Sequence, residues 1–259
     1  MDLLFQLLIS LCCTANAQTA RPAAKPDLPK GALILEERSL AAQGYRNRKL
    51  VLWMLNPERN PNGYGPDDPY TCPDETRGSN YSGPARVSLV DVQQNRVLNT
   101  VKIREYTDST DSPDSNSDSI DLPYRIRPGY YYRTTSANKL RESKPIILWL
   151  RDYNGDGQAL EFALFDAPAC MGLQTTLIGY APELDRVIQY PVELAITDNG
   201  RTETETWLWV DYLFSKKPIA PGKWKYEIDY RGRAGTLDSF VIEYDKKARK
   251  FRGTLVRQE

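Results

Sequence analysis

Residues 151–161 read Arg-Asp-Tyr-Asn-Gly-Asp-Gly-Gln-Ala-Leu-Glu, so oxygen-bearing side chains alternate with other residues and two glycines break the run. Asp152, Asn154 and Asp156 stand at i, i+2 and i+4, and Glu161 follows. Hard oxygen donors at this spacing suit calcium, which takes about six to eight oxygens from carboxylates, amides and main-chain carbonyls. Gly157 stands where such a loop must turn sharply, the Gln158 main-chain carbonyl is the next donor, and Glu161 closes the cage. The expected ligands are therefore Asp152, Asn154, Asp156, Gln158 and Glu161, and the expected cofactor is calcium. The competing reading is a turn rich in Asn, Gly and Asp that satisfies its own backbone without a metal. An EF-hand is not expected. Its closing glutamate would fall on Ala163, and the apolar runs on either side read as strands.

Other chemistry is narrowed by what the chain lacks. It has no histidine, which removes Ser-His-Asp and Cys-His catalysis and every His-ligated zinc site. Lys plus Arg number 34 and Asp plus Glu number 34, so no net field favours nucleic acid or an anionic membrane. Residues 3–13 are apolar but too short to span a bilayer, and Ala15-Asn16-Ala17 fits a cleavage site, so residues 1–17 are expected to be a signal peptide. The usual positive charge before the run is missing, since Asp2 stands there. The expected location is secreted or periplasmic, with no transmembrane segment in the mature chain. In that oxidising setting Cys72 and Cys170 are expected to form a disulfide, worth about 4–5 kcal/mol in the chain-entropy model, with two separate thiols as the alternative.

The motif at Asp152–Phe165 resembles the calcium loops of FG-GAP and VCBS-type repeats, the units of integrin-α-like propellers. In that family a strand enters an Asp-x-Asn-x-Asp-Gly loop and a second strand leaves it. The usual closing acid would fall on Leu160, and Glu161 comes one residue later. A degenerate copy can be laid on residues 229–238, where Arg231 and Arg233 replace Asn154 and Asp156. A guanidinium can fill a carboxylate cage with its own charge. The resemblance implies a structural metal and stacked β units.

The elements that must hold this loop read as strands almost throughout. Residues 18–30 form an Ala/Pro/Lys-rich linker, and residues 31–259 a β-rich domain, with a division into two subdomains near 135–145 as an option. Residues 50–55 are apolar on both faces, as in a strand covered on both sides. Residues 56–83 read as loop and include an Asn80-Tyr81-Ser82 glycosylation sequon. Residues 86–91 and 96–103 form a hairpin, 130–132 a strand edge, 136–143 one helical turn, and 206–214 another strand. Residues 107–121 collect aspartates without the compact cage spacing, and read as a solvated loop, with a second calcium loop as the alternative. Pro191 interrupts the strand at 186–196, and Asp198-Asn199-Gly200 is a turn. Residues 223–256 alternate with period 2 as a meander. The expected fold is all-β, with antiparallel sheets in a layered sandwich or propeller-like repeats and little helix.

The functional expectation is an exported, non-catalytic β protein with a structural calcium loop, serving in binding, adhesion or envelope structure through a protein or glycan partner. Two alternatives stand beside it. One is a carbohydrate-active hydrolase built on a carboxylate pair. The other is a β-barrel carrier of a small ligand.

Overall fold

Period-2 alternation puts one face of a strand in a core and the other in water, and β-branched and aromatic side chains favour that arrangement. The computed structural model describes residues 26–61, 79–103, 119–123, 130–133, 144–166, 173–233 and 235–259. The expected signal peptide, most of the linker, both Cys72 and Cys170, the aspartate-rich stretch before Ser119 and the helical turn at 136–143 lie outside those residues. The described part is an all-β fold of antiparallel sheets with only short 3-10 turns.

The first sheet holds β1 (Ala32–Ser39), β2 (Arg48–Leu55), β3 (Glu58–Asn60), β4 (Asn80–Asp91), β5 (Arg96–Lys102) and β6 (Ser119–Leu122). As its sequence requires, β2 is covered on both faces: Leu50 through Met54 are at most 3% exposed. Its Trp53 indole donates to Ser88 Oγ at 2.9 Å, so the one polar atom of that ring is satisfied. The second half of β4 pairs with β2 and β5, whereas residues 80–84 pair with β3 and β6. Strand β4 thus reaches back into the region expected to be loop. Asn80 is only 5% exposed, so the sequon asparagine sits on a buried strand position instead of a surface loop.

The second sheet holds β7 (Glu161–Asp166), β8 (Gln174–Ala181), β9 (Arg186–Gln189) and β12 (Val210–Asp211). The third holds β10 (Val192–Asp198), β11 (Arg201–Trp207), β13 (Lys223–Asp229), β14 (Leu237–Asp245) and β15 (Lys250–Gln258), in the order β11-β10-β15-β14-β13. Pro191 marks the passage from β9 in one sheet to β10 in the next. The β10–β11 turn has Asn199 and Gly200 at φ of 49° and 76°, the left-handed pair that a two-residue hairpin demands. The β13–β14–β15 meander is antiparallel as expected, but β15 pairs with β10 in parallel.

Three expected strands are corrected. Residues 146–150 and 130–133 form none, and the strand expected across 206–214 breaks into β11, β12 and a 3-10 turn at Leu213–Ser215. The reason for the first is that the backbone of 146–148 is claimed elsewhere. Glu36 of β1 accepts from the N–H of Ile147 at 2.6 Å and of Leu148 at 3.2 Å, and Ile146 N–H goes to the Tyr131 carbonyl. Buried residues from all three sheets join one hydrophobic core. Within it Phe214, Trp224 and Phe251 meet edge to face, with ring centres 5.3–5.8 Å apart.

Candidate metal centre

The loop from Arg151 to Glu161 is pinched at its base by one antiparallel bridge. Arg151 N–H donates to the Glu161 carbonyl at 2.7 Å, and Glu161 N–H to the Arg151 carbonyl at 3.2 Å. Because residues 146–150 are not a strand, the loop runs from an irregular segment into β7, and the expected hairpin of two strands is not formed.

Inside the bridge, alternate side chains cap the backbone. Asp152 Oδ1 accepts from Gly155 N–H at 2.7 Å and Asp156 N–H at 3.1 Å, and its Oδ2 from Gly157 N–H at 2.9 Å. Asn154 Oδ1 accepts from Asp156 N–H at 2.9 Å, and Asp156 Oδ1 from Gln158 N–H at 2.8 Å. These are nested Asx turns, the structure that short acidic and amide side chains impose two or three residues ahead. Gly155 and Gly157 take φ of 73° and 91°, which lets successive N–H groups point at one carboxylate.

The far ends of three side chains meet. Asn154 Nδ2 donates to Asp156 Oδ2 and to Glu161 Oε1, each at 3.0 Å, while Glu161 Oε2 accepts from Tyr153 N–H at 3.1 Å. Glu161 is 0% exposed and Asn154 5% exposed. Burial pushes the Glu161 carboxyl up to about 8, and the Asp156 and Asp152 carboxylates push it the same way. Among the described residues no Lys or Arg pairs with Glu161, Asp156 or Asp152, so a nearby positive charge would favour the ionised form of this buried acid among acids. The Gln158 carbonyl accepts from Leu160 N–H at 3.1 Å, and the Gln158 side chain goes elsewhere. The structure therefore gathers Asn154, Asp156 and Glu161. It sets Asp152 on the loop backbone and Gln158 at the rim. Among the described residues, no three His, Cys, Asp or Glu side chains are drawn together as a metal-ligand group.

The donor set fits a hard cation in chemistry, because every side chain meeting there carries oxygen. The Asn154 amide nitrogen stands between the two carboxylates, where a cation site needs the amide oxygen. Turning that amide about its own bond exchanges the two atoms.

The loop touches all three sheets through residues that its own sequence does not reveal. Glu161 begins β7 of the second sheet. Gln158 Oε1 accepts from the Tyr45 hydroxyl at 2.8 Å, and Tyr45 belongs to the β1–β2 connection of the first sheet. Tyr45 also meets Tyr180 of β8 edge to face at 4.9 Å. On the third side, Gly155 and Asn154 lie against Pro221 and Gly222, just before β13, so closely that a Cβ on Gly222 would stand 2.6 Å from the Asn154 carbonyl oxygen. Lone residues far away in sequence carry no local signal of this kind.

The expected second copy has a different build. Asp229 ends β13, a 3-10 turn covers Arg231–Arg233, and β14 begins at Leu237. The Arg231 guanidinium does not fill a cage. It lies half-exposed against Asp229 at 2.8 Å and holds that carboxyl down to about 2. No family model, no curated protein and no solved structure matches this chain.

Proposed function

We propose that the chain is an exported, non-catalytic β protein in which calcium, bound by the 152–161 loop, locks three sheets together, leaving the outer surfaces for a binding or adhesive role. The observation that carries this reading is Glu161, fully buried, without a cationic partner among the described residues, and facing Asn154 and Asp156 in a loop wedged between sheets. Asn154, Asp156 and Glu161 would hold the ion, with Asp152 and the Gln158 carbonyl completing its shell. The ion would supply the positive charge that keeps Glu161 ionised. Burial also argues against using Glu161 as a glycosidic acid, since such a group must reach the leaving oxygen of a sugar.

The test is thermal unfolding of the full chain in calcium and in chelator. At a calcium concentration a hundred times Kd, binding adds about 2.7 kcal/mol, or roughly 5–10 °C for a chain of this size. Asp156→Ala and Glu161→Gln should each erase that rise. An unmodified protein whose midpoint is the same in both solutions would sink the calcium reading.

A further inference from the structure

Below the loop, two arginines share one indole. The guanidinium carbon of Arg151 lies 4.2 Å from the centre of the Trp149 ring, and that of Arg133 lies 5.7 Å from it. Stacking on an aromatic face fixes a guanidinium while leaving its N–H edge available. Among the described residues neither guanidinium has a carboxylate partner, although both are exposed. Two guanidiniums on one ring, with no carboxylate partner among the described residues, suit an anion from outside.

Arg151 also stands at an aromatic pocket of about 80 Å³, whose walls include Tyr130, Trp149, Tyr153, Phe165 and Phe214. Several polar groups of its wall are turned to protein partners. The Tyr131 hydroxyl donates to the Phe165 carbonyl at 3.2 Å and accepts from Phe165 N–H at 2.7 Å. Ser215 Oγ donates to the Tyr212 carbonyl at 2.7 Å. What remains for a ligand is a small, partly polar space walled largely by aromatic rings, with a donor-only guanidinium at its side. A space of this size suits a small ligand of a few heavy atoms.

We propose that this pocket binds a small organic carboxylate, its short apolar body among the aromatic rings and its carboxylate on Arg151, with Arg133 adding the second charge. A bare anion would leave the aromatic-walled space unfilled, and a neutral body would leave the guanidinium groups unanswered. The site does not depend on the calcium reading.

The experiment is an NMR titration of the full chain in chelator, following the Trp149 indole N–H with butyrate, 1-butanol and sulfate as probes. Butyrate should shift that signal saturably, and both other probes should bind at least about tenfold more weakly, as expected when a charge-assisted contact or the apolar fit is missing. Arg151→Gln should weaken butyrate by about tenfold or more. Ala163 lines the same pocket, and Ala163→Leu fills it while keeping both arginines, so it should abolish butyrate binding and leave any weak sulfate response in place. Should Ala163→Leu fail to fold, the probe comparison and Arg151→Gln decide alone. Sulfate equal to butyrate, unchanged binding by Arg151→Gln, or no saturable shift with butyrate would each overturn the proposal.

Discussion

Asn154 is the side chain on which the loop turns. Its nitrogen joins the Asp156 and Glu161 carboxylates at 3.0 Å each, and its oxygen caps the Asp156 N–H. Asn154→Asp removes the amide donor and sets a third carboxylate beside two others. In chelator this variant should melt below the unmodified chain, by repulsion and loss of two hydrogen bonds worth about 1 kcal/mol or more each. With saturating calcium the gap should narrow, and a differential scan at both conditions reads it. A gap that widens in calcium would mean that the amide is needed for reasons unrelated to a cation. Arg48 supplies a pH dependence of the opposite chemistry. It grips Asp185 at 2.6 Å and Asp91 at 2.9 Å. The Arg48 hydrogen bond holds the Asp185 carboxyl below its usual value, and hydrogen bonds from the Gln94 backbone, helped by Arg48, do the same for Asp91. Depressed folded-state values mean stability that is present above the ordinary Asp value of 3.8 and lost as pH falls through the folded values. Arg48→Met should therefore lower the melting temperature by a few degrees at neutral pH, and the difference should shrink in acid below pH 3.8. Equal differences at both ends of a pH series would detach the effect from these carboxylates.

At the scale of elements, the close approach of two loops makes a sharper test than any single hydrogen bond. Gly222 has φ of 68° and its missing Cβ would meet the Asn154 carbonyl oxygen at 2.6 Å, whereas Gly157, with φ of 91°, has open space around it. Gly157→Ala should cost only the left-handed backbone strain, about 1 kcal/mol, and Gly222→Ala should cost more, about 2–3 kcal/mol, because the loop must also move. Denaturant unfolding of both variants measures the difference, and equal losses would contradict the packing. Hairpins were readable from the sequence because their information is local. Asn199-Gly200, the 92–95 turn and the alternation from Trp224 onward all came through. What was not readable depends on distant partners. Residues 146–150 look like a strand by composition, but Glu36, over a hundred residues earlier, takes the N–H groups of Ile147 and Leu148. Tyr45, Pro221 and Gly222 give the loop its position, yet none lies in a pattern of its own. The short β6 has four residues, too few for alternation to speak.

Across the whole molecule, the loop is one place, beside the shared core, where side chains tied to all three sheets meet. If it is a lock, removing calcium should be felt beyond residues 152–161. Amide hydrogen exchange in chelator should quicken at the 41–45 connection and at 219–223 as well as in the loop itself, because both are packed on it. Faster exchange confined to 152–161 would reduce the site to a local staple. The third sheet carries a separate consequence. Its middle strand is β15, which pairs with β14 on one side and, in parallel, with β10 on the other. Without residues 250–258, β10–β11 and β13–β14 are two isolated hairpins, and isolated hairpins are marginal in water. During synthesis both hairpins leave the ribosome before the strand that joins them, so the five-stranded sheet closes only once residues 250–258 have been made.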